Sequence, residues 1–140
     1  MELAGFYEQV ARDGSLMTPE ISKRWTYSVL HALALNVDKK VRRNLQSALP
    51  EELSGFMKSA FWLYNALLGI RNTNITALEF QNLVARRAGN SDWQFAKIPT
   101  VAVFGAMKQY LSSELNNDVA ESLSPELREL WHQAEKFAVA

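Results

Sequence analysis

The two histidines of this 140-residue sequence are its most versatile side chains, since imidazole titrates near neutral pH and binds metals. His31 lies in a stretch of helical periodicity beside the apolar stripe Tyr27, Leu30 and Ala34. His132 has Glu129 and Glu135 three positions to either side, a spacing at which helical side chains interact. A metal site would need more ligands, such as a second histidine at a matched spacing. We therefore interpret His132 as a surface residue paired with a glutamate and expect no metal.

The carboxylate pairs have a simple structural interpretation. Glu51-Glu52 and Glu126 with Glu129 lie in the first turns of predicted helices, where the helix dipole favours negative charge. The sequence contains no cysteine, which excludes thiol catalysis and thiolate metal sites. It also contains neither a glycine-rich phosphate loop nor a nucleophile beside a histidine. We expect no catalytic site, no cofactor and no enzymatic activity.

A basic run opens the third predicted helix, where positive charge opposes the helix dipole. Its members are Lys39, Lys40, Arg42 and Arg43. The stretch 74 positions later, near residues 114–121, is polar to acidic instead. Two interpretations are open: the stretches are solvated faces that have diverged, or they form a polar contact between chains. We do not expect nucleic-acid binding, because the run is short, lacks interleaved aromatics and belongs to a chain with 15 basic and 15 acidic residues.

The fourth predicted helix carries two apolar stripes. The first should face the core and comprises Leu53, Phe56, Met57, Ala60, Phe61, Tyr64, Leu67 and Leu68. The second comprises Trp62, Leu63, Ala66 and Ile70. Such a helix must bury two faces, either between two parts of this chain or partly against another chain. An exposed second stripe would form a patch that implies a partner or an apolar ligand.

The sequence repeats itself at an offset of 74 positions without a gap. The repeat predicts two tandem copies of a roughly four-helix module, residues 1–74 and 75–140, packed with pseudo-twofold symmetry into one compact all-α bundle. Identical residues at this offset are Val10-Ala11-Arg12 with Val84-Ala85-Arg86, Lys23 with Lys97, Thr26 with Thr100, and Glu52-Leu53 with Glu126-Leu127.

Periodicity and capping residues predict eight helices. Thr18 and Asp92 are equivalent residues that could cap the long second helix of each copy, and Pro99 predicts a kink or a late start in the second of these. Phe95 and Ile98 belong to that helix, which is apolar nearly all round and should be buried. The predicted helices lie near residues 3–13, 19–36, 39–48, 51–70, 77–88, 93–112, 115–122 and 125–137.

The repeat resembles a known bacterial family of tandem helical domains, catalogued as domain of unknown function 2267. The resemblance rests on Phe6 followed by Val10-Ala11-Arg12, on a long helix containing Val29-Leu30-His31-Ala32-Leu33, and on Leu49-Pro50-Glu51-Glu52-Leu53. It covers about residues 3 to 132. It implies a fold, but it assigns no activity, cofactor or site, so no functional residue is carried over.

The composition is that of an ordinary globular protein, with 48% apolar and 21% charged residues. The longest apolar stretch, from Phe56 to Ile70, is shorter than the roughly 20 residues needed to span a bilayer, and the first residues lack a signal-peptide pattern. We expect a soluble, cytoplasmic protein that does not bind membranes. The favoured function is a protein–protein interaction or scaffold module, with a homodimer as one form of it. The alternative is a binder of a small apolar ligand in a cleft between the two copies.

Overall fold

The computed structural model describes residues 3–58, 74–90 and 92–134, and in these ranges the chain is helical with no strand. The all-α prediction is therefore confirmed. No helix in the described ranges has the length and apolar character needed to cross a membrane. The helices are α1 (Leu3–Asp13), α2 (Pro19–Ala34), α3 (Lys39–Ala48), α4 (described over 51–58), α5 (Ala77–Arg87), α6 (Lys97–Met107, continued by a 3-10 turn over Lys108–Tyr110), α7 (Ser113–Ser122) and α8 (Pro125–Gln133).

Side-chain caps fix the starts of four of these helices. A hydroxyl oxygen accepts a hydrogen bond from an amide of the first turn, which satisfies a group that has no partner within the helix. At α5 the cap is reciprocal, because the Glu79 carboxylate also accepts the backbone N–H of Thr76. The capping residues are Thr18 for α2, Thr76 for α5, Ser112 for α7 and Ser124 for α8.

Helices α2 and α6 lie at the centre of the fold. Every residue of α6 from Pro99 to Met107 is buried, as are ten residues of α2. Helix α1 packs against both α2 and α6, α5 packs against α2 and α8, and α3 packs against α7. Large apolar side chains fill the spaces between them. The bulkiest that are fully buried include Trp131, Phe6, Phe80, Phe104, Leu30 and Leu33.

The start of α6 differs from the sequence-based expectation. The helix predicted from residue 93 begins at Lys97, because residues 93–96 form a turn in which the Asp92 carboxylate accepts the backbone N–H of Gln94 at 2.9 Å. Asp92 therefore stabilises this turn and does not cap α6. The late start suggested by Pro99 is confirmed, since the first turn of a helix tolerates the missing proline N–H.

The predicted burial of Phe95 and Ile98 is wrong. Their side chains are 44% and 51% exposed, respectively. Phe95 lies in the turn over residues 93–96 and so is off the helical path, whereas Ile98 lies in the first turn of α6 on a side that is exposed. The turn over residues 93–96 still contacts α2, because the Trp25 and Phe95 rings lie 5.7 Å apart.

Gly14 lies where the end of α1 passes close to α6. A Cβ at this position would lie 2.6 Å from the Val10 carbonyl oxygen and 3.3 Å from the Pro99 Cα, and neither backbone atom can move freely. We expect Gly14→Ala to lower the free energy of unfolding by about 1–3 kcal/mol, measured by urea denaturation. Gly55→Ala is the matched control, since a Cβ there meets no atom within 4 Å and alanine favours the helix by up to about 1 kcal/mol. Equal stability of the two variants would contradict the expectation.

Candidate functional site

The basic run at the start of α3 is only partly exposed. Lys39, Lys40 and Arg43 are exposed, whereas Arg42 is 7% exposed and therefore contributes little to a free surface. Burial lowers the pKa of the Arg42 guanidinium, and the nearby charge of Arg43 lowers it further. The exposed part of the predicted patch thus consists of three side chains.

The basic helix α3 and the more acidic helix α7 face each other within one chain. The backbone N–H of Asp38 donates to Ser122 Oγ at 2.6 Å, which ties the start of α3 to the end of α7. Lys40 shares a cavity of about 310 Å³ with two acidic residues of α7. A basic residue of α3 and acidic residues of α7 therefore lie near each other within one chain. A contact between the basic run of one chain and the acidic stretch of another stays a prediction. The cavity is lined by Asp38, Lys40, Val41, Asn44, Asp118, Glu121 and Ser122.

The second apolar stripe of the fourth helix lies outside the described residues. This applies to all four of its candidate partner-binding residues, Trp62, Leu63, Ala66 and Ile70. The beginning of the first stripe is described, and there Leu53 and Met57 are fully buried as predicted. Phe56 is half-buried and makes an edge contact with the ring of Tyr27 at 5.1 Å.

His31 is a buried, neutral histidine. It is 4% exposed, Arg87 Nη1 donates to its Nε2 at 3.3 Å, and the Tyr27 ring lies 5.6 Å from its own. Burial lowers the pKa of His31 to about 4, and the positive charge of Arg87 acts in the same direction. Its Nδ1 meets no hydrogen-bond partner among the described residues. The second histidine, His132, is exposed, and the described ranges hold no group of three potential metal ligands.

Three polar side chains of the first half form a closed cluster, here called the first cluster: Tyr7, Lys23 and Glu52. The Tyr7 hydroxyl donates to Glu52 Oε2 at 2.7 Å, and Lys23 Nζ lies 3.0 Å from Glu52 Oε1. Burial raises the pKa of the Tyr7 phenol, and the hydrogen bond to Glu52 raises it further. The bonds from Tyr7 and Lys23 lower the pKa of Glu52. Each oxygen of the carboxylate is thus engaged.

The residues 74 positions after the first cluster all line one depression. Lys97 and Glu126 stand 74 positions after Lys23 and Glu52, but Gln81 stands where the first half has Tyr7. A depression of about 390 Å³, here called the second groove, lies between α5, α8 and the start of α6. This volume is at the lower end of the range for ligand sites. The second groove is lined by Ala77, Gln81, Trp93, Gln94, Lys97, Glu126, Glu129, Leu130 and Gln133.

The polar groups of the second groove are only partly used within the chain. Glu126 Oε1 accepts the backbone N–H of Ala77 at 3.0 Å, and Gln81 Nε2 donates to the Trp93 carbonyl at 2.9 Å. Among the described residues, none donates to Glu126 Oε2 and none pairs with the Lys97 ammonium group. The groove therefore offers a carboxylate oxygen and a cation to a molecule from outside.

Exposed apolar side chains lie next to the lining residues in the chain. Leu78 follows Ala77, Phe95 follows Gln94 and Ile98 follows Lys97. Leu78 is 48% exposed, and the other two are exposed to a similar degree. Apolar side chains beside a few oriented polar groups are typical of binding surfaces.

Sequence reasoning did not single out the second groove. The lysine and glutamate identities at the 74-residue offset indicate a repeat, but by themselves they do not indicate a groove. The available signal was the combination of these identities with the change from Tyr7 to Gln81. A lysine and a glutamate that recur at this offset, next to a residue that changes, together indicate where the two stretches could differ in binding.

Tyr7→Phe tests the first cluster. This change removes a hydrogen bond to a charged group but keeps the ring, so we expect the free energy of unfolding to fall by about 1–2 kcal/mol. Urea denaturation of Tyr7→Phe, Glu52→Gln and the double variant gives the coupling energy of the pair. Strictly additive effects of the two single changes would contradict the assigned contact.

Comparison with known proteins identifies the family of the chain. No curated protein matches the sequence. Residues 4–130 match a family described as "Uncharacterized conserved protein (DUF2267)". This range contains α2 to α8 up to Leu130 and nearly all of α1, including both the first cluster and most of the second groove. The resemblance noted from the sequence is thereby confirmed, and the chain belongs to the DUF2267 family.

Proposed function

We propose that this protein is a non-catalytic interaction module that binds a protein partner through the second groove. The observation that carries the proposal is the contrast between the two halves. In the first half a lysine and a glutamate form an ion pair, and Tyr7 bonds to the glutamate; the lysine and the glutamate 74 positions later both line an open groove. Polar groups that lack partners within the described chain give a partner defined points of attachment.

We also infer that the chain is a tandem duplication with pseudo-twofold symmetry. Helices α1 and α5 begin and end 74 positions apart, and so do α3 and α7. Helix α1 packs against α6, while α5 packs against α2, which is the exchange expected of two related halves. Thr26 and Thr100, identical at this offset, are both fully buried in the central helices. These correspondences support treating the first cluster and the second groove as counterparts.

The exposed apolar side chains favour a macromolecular partner over a small ligand. Leu78, Phe95 and Ile98 would each lose exposed apolar surface on binding, at about 25 cal/mol for each Å² removed from water. In protein interfaces a few anchor side chains carry most of the binding energy, and these exposed side chains are able to act as anchors. A second copy of the chain is one form that the partner could take, as the homodimer hypothesis requires.

The alternative function, an apolar ligand bound between the halves, receives less support. One cavity among the described residues lies between α3, from the first half, and α7, from the second. Four of its seven lining residues are ionisable, namely Asp38, Lys40, Asp118 and Glu121. An apolar ligand there would remove charged groups from water without pairing them, which is costly.

Site-specific photo-crosslinking tests the proposed function. Ile98, which is exposed and follows the groove-lining residue Lys97 in the chain, or Lys39, in the basic run, is replaced by p-benzoylphenylalanine, and cells that naturally contain the protein are irradiated. We expect a discrete protein adduct from position 98 and none from position 39. An adduct of twice the chain mass would identify a homodimer, which light scattering at several concentrations must then reproduce. Adducts only from position 39, or from neither position, would contradict the proposal.

A further inference from the structure

We propose that the partner inserts a tyrosine side chain into the second groove and that its phenol donates a hydrogen bond to Glu126 Oε2. This inference rests on the proposed function and specifies the chemistry of its anchor. It follows from treating the first cluster as an internal example of what the lysine–glutamate pair binds.

The first cluster contains the recognition geometry in a completed form. One oxygen of Glu52 pairs with Lys23 Nζ at 3.0 Å, and the other accepts the Tyr7 hydroxyl at 2.7 Å. The Tyr7 ring is buried and meets the edge of Phe6 with ring centres 5.6 Å apart. The pair therefore accommodates an aromatic ring beside the carboxylate when the ring carries a hydroxyl donor.

The second groove keeps the acceptor but not the phenol. Glu126 Oε1 is occupied by the Ala77 N–H, and Oε2 has no donor among the described residues. Gln81 is shorter than tyrosine, and its side chain bonds to the Trp93 carbonyl instead of to Glu126. Gln81, Trp93 and Glu126 all line the second groove, and its volume of about 390 Å³ provides space for a ring beside Glu126.

The walls of the second groove suit an aromatic ring. Trp93 and Leu130 supply an aromatic and an aliphatic surface, against which a ring gains both burial and edge-to-face contact. A tyrosine brings this apolar body together with one polar tip, which explains why tyrosine is enriched at interface anchors.

A neutral donor fits the charges of the groove better than a cation does. Lys97 already supplies a positive charge beside Glu126 and Glu129, and a second ammonium or guanidinium group would be repelled by it. A phenol donates to a carboxylate without adding charge and leaves Lys97 available to a backbone carbonyl or carboxylate of the same partner segment.

The test is an NMR titration of the ¹⁵N-labelled protein with two probes that differ by one hydroxyl, N-acetyl-L-tyrosinamide and N-acetyl-L-phenylalaninamide. We expect saturable shifts of the Trp93 indole N–H and the Gln81 side-chain amide with the tyrosine probe at millimolar concentration. The phenylalanine probe should bind at least about fivefold more weakly, the fold-change that one net hydrogen bond provides.

Two variants localise the binding. Gln81→Tyr places the tyrosine of the first cluster in the second groove and should abolish the response, while Glu126→Gln should weaken tyrosine binding and reduce the difference between the probes. Tyr7→Phe, which alters only the first cluster, should leave the titration unchanged.

The outcomes separate this inference from the proposed function. Equal binding of both probes, or no response to either, overturns recognition of the phenol. An undiminished response in Gln81→Tyr overturns the assigned position. Crosslinking from position 98 is independent of the anchor's chemistry, so an adduct there together with a negative titration would overturn the tyrosine anchor alone. A positive titration without an adduct would leave phenol recognition standing and would count against the protein partner.

Discussion

Trp131→Ala should lower the free energy of unfolding by about 3–5 kcal/mol, the largest single effect expected in this protein. Trp131 is fully buried in α8, and its ring centre lies 5.1 Å from that of Phe104 in the central helix α6. Its Nε1–H donates to Asn116 Oδ1 of α7 at 2.8 Å. Removing the side chain leaves a cavity and an amide without its donor, so packing and hydrogen-bonding losses add.

Lys108, in the 3-10 turn that continues α6, also contacts Trp131. Its Nζ donates to the Trp131 carbonyl at 2.6 Å and lies 4.8 Å from the centre of the indole ring. An ammonium group at this distance from an aromatic face contributes about 0.5–2 kcal/mol. Trp131 therefore connects α6, α7 and α8 through its ring, its indole nitrogen and its backbone.

Urea denaturation followed by far-ultraviolet circular dichroism measures the effect of Trp131→Ala without relying on tryptophan fluorescence. Trp131→Phe is an intermediate variant that retains a ring but loses the indole donor, and it should cost less. Trp93→Ala is the control for loss of an indole at a half-buried surface position. A loss below about 1 kcal/mol in Trp131→Ala would show that the assigned core position is wrong.

Lowering the pH from 7 to 4 should destabilise the folded protein by up to about 3 kcal/mol through His31 alone. The folded state holds the pKa of His31 at about 4 because of burial and the charge of Arg87, whereas the unfolded chain has the ordinary value of 6.5. Between these values the unfolded state binds the proton and the folded state does not. The contribution of neutral His31 to stability is therefore complete above pH 6.5 and is lost as the pH falls towards 4.

The surroundings of His31 favour its neutral form, so its pKa is lowered in the folded state. Arg87 donates to Nε2, which requires the proton of the neutral ring to lie on Nδ1, and Tyr27 stacks at a tilted angle. Protonation of His31 would place a second positive charge beside that of Arg87, which is unfavourable. In the described ranges no carboxylate is paired with His31 to offset this repulsion.

The measurement compares wild-type protein with His31→Gln across this pH range. Glu52 also loses a stabilising ionised state as the pH falls, because its folded pKa is lowered by Tyr7 and Lys23. This contribution is common to both proteins and cancels in the difference of their unfolding free energies. The difference should change with pH between 6.5 and 4, and a constant difference would contradict a depressed His31 pKa.

Local sequence patterns predicted most of the helices. Predicted helix 39–48 coincides with α3, and 3–13 coincides with α1. The starts of α2 and α8 at Pro19 and Pro125 were also predicted, because a capping hydroxyl and a first-turn proline act on neighbouring backbone groups. The start of α7 at Ser113 lies two residues before the predicted one, since Ser112 caps it.

The candidate site could not be predicted to the same extent. Lys97 and Glu126 are separated by 29 positions, and only the packing of α5, α8 and the start of α6 brings them to one groove. The burial of Arg42 within a basic run likewise depends on what packs over it and not on its neighbours in the chain.

The sequence by itself determined the all-helical class, the family and the repeated order of similar residues, since these depend on periodicity, caps and residue identity. Tertiary structure decided that residues 93–96 form a turn, that Phe95 and Ile98 are exposed, and that Tyr7 closes one lysine–glutamate pair. It also decided that the other pair, with Gln81 in place of tyrosine, borders a groove. The physical reason is that burial and hydrogen-bond partners are set by contacts between distant segments, which local propensity does not encode.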